Sequence, residues 1–518
     1  MASTTTQYTQ ANRQMSLATP LGDDVLLLVK LNYKEEWSRP FEMTLEMQST
    51  NGGIDFNKIL GQSVTVTIQM PDNSSRYLNG IVRKFIQTVF ESADGLFGYR
   101  AEVVPAFAML DLSSTCQCYE YETIPAIIEQ VFSSVNFSGY SLNLTADYTP
   151  LRFSVQYCES PFAYVSRLME HAGISYHFQH SDGNHTMVLC DTRAATQNFP
   201  GFSQIQYNPS SAQGVNCISE WSLEGEVQPG AFAMTDYDYT SPSLNLFSTA
   251  ITQQSHPWGD AQRFDYPVGY YTTADIERAA RIRLDELQWK QSIRRGAGPI
   301  LGISAGYAFT LVGFPRQDQN IGYITTSAEL TISTPPYDSS VKTDEEFNYQ
   351  TRFTVIPKMV IFRPERRTPK PRILGIQTAV VVAPDGQASN TPYVSPYGSI
   401  KVQFRWDQNG SNNGNSSIWI RVSQISAGSS YGSMFIPRPG NEVLVAFEDG
   451  DPDRPVVVGC VYNALSMPPI ALPANNLLSY IIDDGGNVMI MNPASDKQFI
   501  HFYSPYNQSR HTVGASSL

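Results

Sequence analysis

Ile400-Lys401-Val402-Gln403-Phe404, Ile418-Trp419-Ile420-Arg421-Val422, Met434-Phe435-Ile436, Glu442-Val443-Leu444-Val445-Ala446-Phe447 and Val456-Val457-Val458-Gly459-Cys460-Val461 are five short runs separated by Gly and Asn turns. They are rich in β-branched and aromatic residues, and each reads as a strand. Together they make the stretch from Thr378 to Tyr462 an all-strand unit, whose size suggests a small barrel of the oligonucleotide/oligosaccharide-binding (OB) type. Alternation places Trp419, Ile420 and Val422 with Val443, Val445 and Phe447 in its core, and turns Arg421 and Glu442 outward or across an interface. The acidic turn Asp449-Gly450-Asp451-Pro452-Asp453 lacks the closing Glu of a calcium loop. It reads as a strand connection held by Arg454.

Toward the C-terminus, Pro468, Pro469 and Pro473 precede three further strand candidates, Leu477 to Ile482, Asn487 to Asn492 and Gln498 to Tyr503. Both faces of these strands are apolar: Met489 and Met491 alternate with Val488 and Ile490. Three such strands have no core of their own, and their open edges invite pairing. Partners are therefore expected, most simply identical chains, with Ile481, Val488, Ile490, Met491, Phe499, His501 and Tyr503 at the interface.

Toward the N-terminus, the proline-dense run from Arg363 to Arg372 reads as a solvated linker and a domain boundary. Before it, residues 25 to 99 alternate as half-buried strands. Ile124, Ile127, Ile128 and Val131 carry helical spacing behind a capping Thr123, and a second helix runs from about Pro161 to His171 with Gly173 as its stop. A hairpin is expected across Ser181-Asp182-Gly183-Asn184. The longest helix is expected from about Thr273 to Arg294, ending at Gly296, with Ile276, Ala279, Ala280, Leu284 and Leu287 on its apolar stripe and Glu277, Arg281, Arg283 and Asp285 opposite.

A chain of 518 residues implies about three domains. Aromatic residues at 12% supply a large core, which excludes disorder as the main state. The net charge of −13 opposes binding to nucleic acid or to anionic lipid. No run is long enough for a membrane helix, and Met1 to Gln14 is polar, without the pattern of a secretory signal. The six cysteines follow neither a disulfide framework nor a zinc spacing, which points to a reducing compartment.

Motifs for chemistry are missing. His171, His177, His180 and His185 cluster in sequence without metal-ligand spacing, so packing is the expected role and no metal is expected. No phosphate loop is present, and no carboxylate pair stands out among the 48 acidic residues. The expectation is a protein without catalytic residues or cofactor.

Several segments resemble one family. They include Leu21-Gly22-Asp23-Asp24-Val25, Tyr77-Leu78-Asn79-Gly80-Ile81-Val82, Phe153-Ser154-Val155-Gln156-Tyr157 running into Phe162-Ala163-Tyr164-Val165, and Gly306-Tyr307-Ala308-Phe309. The barrel adds Tyr397-Gly398-Ser399-Ile400-Lys401-Val402, Pro437-Arg438-Pro439-Gly440-Asn441-Glu442-Val443 and Gly450-Asp451-Pro452-Asp453-Arg454-Pro455. In this order, over roughly residues 20 to 473, they are similar to the valine-glycine repeat (VgrG) spike proteins of the type VI secretion system, themselves similar to the fused hub and spike of contractile phage tails.

The resemblance implies a mainly β fold with minor α. Residues 1–375 would form a phage hub-like platform of β-barrel-like domains with short helices, residues 376–470 the OB-fold spike domain, and residues 471–518 the start of an intertwined, trimeric β-prism needle. It further implies a homotrimer that takes a hexameric Hcp-like tube protein at the hub end and a PAAR-like tip protein at the needle end. Baseplate proteins and effector cargo are further implied partners. Assembly in the bacterial cytoplasm, export by the machine itself and mechanical puncture of a target membrane complete the expectation. Only about 45 residues follow Pro473 where the family's needle is usually much longer, so either the needle is naturally short or the rest of it lies outside this sequence; no appended effector domain is expected. Two other readings are a phage tail, tailocin or extracellular injection particle, and a polysaccharide-degrading or carbohydrate-binding β-protein.

Overall fold

The computed structural model describes residues 8–89, 95–192, 196–210, 216–335, 337, 347–388 and 391–514; the first seven residues of the polar start lie outside these. Contacts divide the chain into two compact units. One comprises Met1–Ser114, Glu122–Leu151 and Glu159–Lys370, and the other Thr115–Tyr121, Arg152–Cys158 and Pro371–Leu518.

The first unit is organised by a twelve-stranded sheet. Its central joint pairs Leu27–Glu36 antiparallel with Gly322–Ser333, setting Leu31 opposite Ile332 and Tyr33 opposite Leu330. Alternation decides which faces are buried: Leu31 and Tyr33 are inside while Lys30 and Lys34 are exposed.

The expected helices form at Ile124–Ser134 and Pro161–Ala172. The Thr123 hydroxyl accepts the Ala126 amide at 3.4 Å, and the Ser160 hydroxyl accepts that of Ala163 at 3.1 Å, so each first turn is capped. Gly173 stops the second helix at φ +69°, where a Cβ would also lie 2.7 Å from Ile282. The hairpin follows as Ser175–Ser181 and Asn184–Cys190.

Three expectations in this unit need correction. The long helix is Thr273–Gln288 only; a short turn, Trp289–Gln291, leads into a strand, Ser292–Gly298. Gly296 is thus no helix stop but a strand residue opposite Phe353, whose ring fills the space a Cβ would need. Arg283, expected on the solvated face, is buried beside Glu286.

The run from Arg363 is not a solvated linker either. The Arg363 guanidinium donates to the carbonyls of Gly173 and Asp191, and Arg366 pairs with Asp265 at 3.0 Å. The buried carboxylate of Glu170 accepts the amides of Arg367 and Thr368, each at 3.0 Å, and pairs with Arg39 at 3.0 Å. Prolines keep this segment out of helix and sheet, so its amides take side-chain partners instead.

The second unit contains a five-stranded sheet in the order Lys401–Phe404, Gln377–Val382, Glu442–Phe447, Pro455–Val461, Arg421–Val422. Ile400 and Ile420 exchange backbone hydrogen bonds of 3.0 and 2.8 Å, which joins the two ends and closes the barrel. Its interior holds Ile400, Val402, Phe404, Ile420, Val443, Val445, Phe447 and Val457. Phe153 and Val155 join it from the strand Leu151–Glu159, whose Val155 amide donates to Asp453 at 2.7 Å. The acidic turn connects Glu442–Phe447 to Pro455–Val461, with Arg454 3.8 Å from Glu448.

Two barrel expectations fail. Met434–Ile436 is not a strand: Met434 and Phe435 are exposed, and the fifth strand is Gln377–Val382. Trp419 is not core, since it flanks Ile420 and a strand sends neighbouring side chains to opposite faces. It packs on Tyr393 and Lys401, and the indole behind the core is that of Trp406, stacked on Phe404.

Candidate assembly site in the tail

Beyond the barrel lies a four-stranded antiparallel meander, Ser479–Ile482, Val488–Asn492, Phe499–Ser504 and Ser509–Gly514. The first three match the expected strands, and the fourth was not anticipated. Its first turn is fixed by Asp483, whose carboxylate accepts the Asn487 amide at 2.9 Å and side-chain NH₂ at 2.8 Å. These hydrogen bonds hold the Asp483 carboxyl below its ordinary range. Gly486 closes the turn at φ +81°, a conformation that favours glycine. Arg438, from the barrel, pairs with Asp484 at 2.9 Å.

Paired residues in a ladder share a face. Tyr480, Ile490, His501 and Thr512 therefore form one row, continued by Ile482, Val488 and Tyr503. The opposite face carries Ile481, Met489 and Phe502, then Met491, Ile500 and Val513. Of the expected interface residues, Val488, Ile490, Phe499, His501 and Tyr503 share the first face, and Ile481 and Met491 lie on the second. Phe499 and His501 are already buried within the chain, where His501 Nδ1 lies 2.8 Å from the Thr512 hydroxyl.

The second face is the more open. Ile481 is 47% exposed, Phe502 45% and Val513 55%. Residues 500, 502 and 513 were missed in the sequence. Ile500 and Phe502 alternate with the residues chosen there, and Ser509–Gly514 carries too little apolar character to announce a strand. Leu477 and Tyr506 add further exposed apolar surface. These side chains make the tail sheet the candidate surface for a partner.

The first unit's histidines form a different kind of site. The Asn79 amide donates to His180 Nδ1 at 3.1 Å, so His180 Nε2–H points to the Tyr33 hydroxyl at 3.0 Å, which in turn donates to Glu35 at 3.1 Å. His185 Nε2 accepts the Ala106 amide at 2.9 Å while its Nδ1 faces Asn79 Oδ1 at 2.7 Å. In each ring the lone pair a metal would need is taken by a backbone amide. Among the described residues no group of three or more His, Cys, Asp or Glu side chains is placed to hold a metal ion. Burial lowers the pKa of His177 to about 4 and of His185 to about 4; burial and then the neighbouring His185 lower that of His180 to about 3. Glu35, beside Arg76 and Ser304, is raised mainly by burial. This is a packed polar core and not an open reaction site.

Comparison with known proteins accounts for both units. A model described as the phage tail baseplate hub (GPD) matches residues 34–336, and one described as the type VI secretion system/phage-baseplate injector OB domain matches residues 379–462. The chain is 36% identical over 469 residues to the type VI secretion system spike protein VgrG1a of Pseudomonas aeruginosa, covering 90% of this chain and 72% of that protein. VgrG1b and VgrG5 of the same organism are 36% and 30% identical; alignment with them spans 62% and 58% of their lengths. In structure, the chain is similar to the Escherichia coli c3393 protein, a type VI component likened to the bacteriophage T4 tail proteins gp27 and gp5. That match has a TM-score of 0.62 at 18% identity and covers 86% of this chain and all of that one. A chain of the Francisella PdpA-VgrG complex gives a TM-score of 0.63 at 8% identity, covering 94% of this chain and 74% of that one. With a baseplate-hub match over residues 34–336, an injector OB-domain match over residues 379–462 and 36% identity to VgrG1a across 90% of its length, the chain belongs to the VgrG family of type VI secretion system spike proteins.

Proposed function

We propose that the chain acts as a homotrimer, with residues 1–375 as the hub platform, 376–470 as the OB spike domain and 471–518 as the start of an intertwined β-prism. The observation that carries this is the tail sheet, which leaves apolar side chains open on both faces and unpaired edges on its outer strands. Three copies wound together would bury those faces and pair those edges. Strands interlocked across chains resist peeling because each would have to break ladder hydrogen bonds to its neighbours. Such a body is stiff, which is what puncturing a target membrane by force requires.

In this reading the hub end takes a ring of Hcp-like tube protein, the needle end a PAAR-like tip protein, and baseplate proteins surround the assembly. Effector cargo is carried on it. The chain assembles in the cytoplasm and leaves through the machine, working without turnover, cofactor or metal. The relatives' names as spike proteins support this.

Native mass spectrometry of the full chain tests it: a trimer at micromolar concentration is expected, deletion of residues 474–518 should weaken it, and a full-length monomer overturns the proposal. In cells, replacing Gly485 and Gly486 by Val strains the first tail turn, because Gly486 sits at positive φ. Export of tube protein should then fall. Normal export with a disrupted tail rules out the mechanical role.

A further inference from the structure

The cysteines, unremarkable in sequence, include a pair that the fold brings together. Cys116 lies on the strand Thr115–Glu122 and Cys158 on the strand Leu151–Glu159, and these two strands pair with each other. The two sulfurs are 3.0 Å apart as free thiols, and the Cys158 amide donates to Cys116 Sγ at 3.1 Å. A disulfide bond is about 2.05 Å long, so roughly 1 Å of movement separates this contact from a covalent bond. The pair is asymmetric: Cys158 is exposed and Cys116 buried.

We propose that Cys116 and Cys158 are a redox site, forming an intrachain disulfide when the chain meets a low-molecular-weight disulfide oxidant. The exposed Cys158 loses its proton and attacks one sulfur of the reagent, forming a mixed disulfide and releasing one reagent thiol. Cys116 then gives up its proton and displaces the second reagent thiol, closing the Cys116–Cys158 bond. The protein loses two protons and two electrons in all; the reagent disulfide takes both and leaves as two thiols. Burial and the neighbouring Cys158 push the Cys116 thiol up to about 12, so Cys116 follows and does not lead: the Cys158 sulfur of the mixed disulfide is the atom it attacks, and the reagent thiolate is the leaving group.

The bond has a structural consequence. It closes a loop between positions 42 apart, and the strand bearing Cys158 also supplies Phe153 and Val155 to the barrel core. A cross-link over a loop of this length stabilises the fold by constraining the unfolded chain. The chemistry does not depend on the assembly role. Its timing does rest on the spike reading: reduced where the particle is built, oxidised once it is outside.

The test uses the full chain, purified reduced, freed of reductant and exposed to oxidised glutathione, with peptide mapping after alkylation and thermal denaturation. The expected result is a single Cys116–Cys158 link, a mass loss of two hydrogens, and a melting temperature raised by several degrees and restored by dithiothreitol. The rise should vanish in Cys158→Ser and in Cys116→Ala and persist in Cys118→Ser. Both thiols still open to alkylation, a stable glutathione adduct on Cys158 without closure, or a bond to Cys118 would each overturn the proposal. Mapping of the unaltered chain decides this even where a variant fails to fold. The trimer measurement is separate, so failure of one reading does not mask failure of the other.

Discussion

The barrel and the tail are built from the same kind of strand, short and rich in Val, Ile and aromatic residues, yet their side chains meet opposite fates. Val443 and Val445 are fully buried, whereas Ile481, Phe502 and Val513 stand about half exposed. Composition does not separate them; closure does. The Ile400–Ile420 hydrogen bonds give every barrel strand two neighbours and the sheet one interior. The tail meander ends in two edges, Ser479–Ile482 and Ser509–Gly514, and encloses nothing. An apolar strand is a core element only where its sheet closes or another layer covers it.

The strongest test of that contrast is acid, which separates an aliphatic interior from a polar one. The barrel cluster contains no histidine, while the hub core holds His177, His180 and His185 neutral. Their folded pKa values lie below the unfolded value of about 6.5, so the unfolded chain binds more protons below that pH. Stability of the first unit should therefore be full above pH 6.5 and fall toward pH 4, by up to about 1.4 kcal/mol per pH unit for each histidine. Glu35, raised by burial, works in the opposite sense above the ordinary carboxylate range and trims the loss. Thermal denaturation from pH 7 to 4 with domain-resolved hydrogen exchange should show the hub opening before the barrel; the reverse order breaks the comparison.

Next in size, Phe404→Ala removes a buried ring stacked on Trp406 and should cost about 3–5 kcal/mol in chemical denaturation. Replacing Ile500 and Phe502 together by Ser should do the opposite. Both side chains are already part exposed, so unfolding of the isolated chain should shift by under about 1 kcal/mol. Trimer dissociation, read by native mass spectrometry on dilution, should rise at least about tenfold, since the interface loses anchoring apolar groups. Equal effects at Phe404 and at the tail pair would erase the distinction between the two sheets. The smallest effect is expected at Trp419→Ala, about 1 kcal/mol, because that indole packs on Tyr393 and Lys401 outside the barrel core.

Much of this was legible in the residues. Thr123 caps the helix that the spacing of Ile124, Ile127, Ile128 and Val131 announces, and Asp182-Gly183 turns the hairpin, because caps and turns are local chemistry within a few residues. The misreadings share a cause. Gly296 reads locally as a helix stop, although its role is to admit Phe353, a residue 57 positions away, opposite it in the ladder. The basic run from Arg363 looked solvated because nothing nearby in sequence hints that Glu170 and Asp265 will meet it. In the tail, alternation revealed two apolar faces but not which of them the fourth strand leaves more open.

Spacing along the chain was enough for the alternation of the tail strands, the Thr123 cap and the Asp182-Gly183 turn, because each depends only on residues a few positions apart. Only the tertiary structure decided that residues 115–121 and 152–158 belong with the barrel, that Phe153 and Val155 complete its core, and that Cys116 and Cys158 touch. Those are juxtapositions of distant segments, and they follow from which apolar surfaces find one another when the sheet closes. No local pattern encodes that choice, because the free energy that makes it comes from burying area contributed by both partners at once.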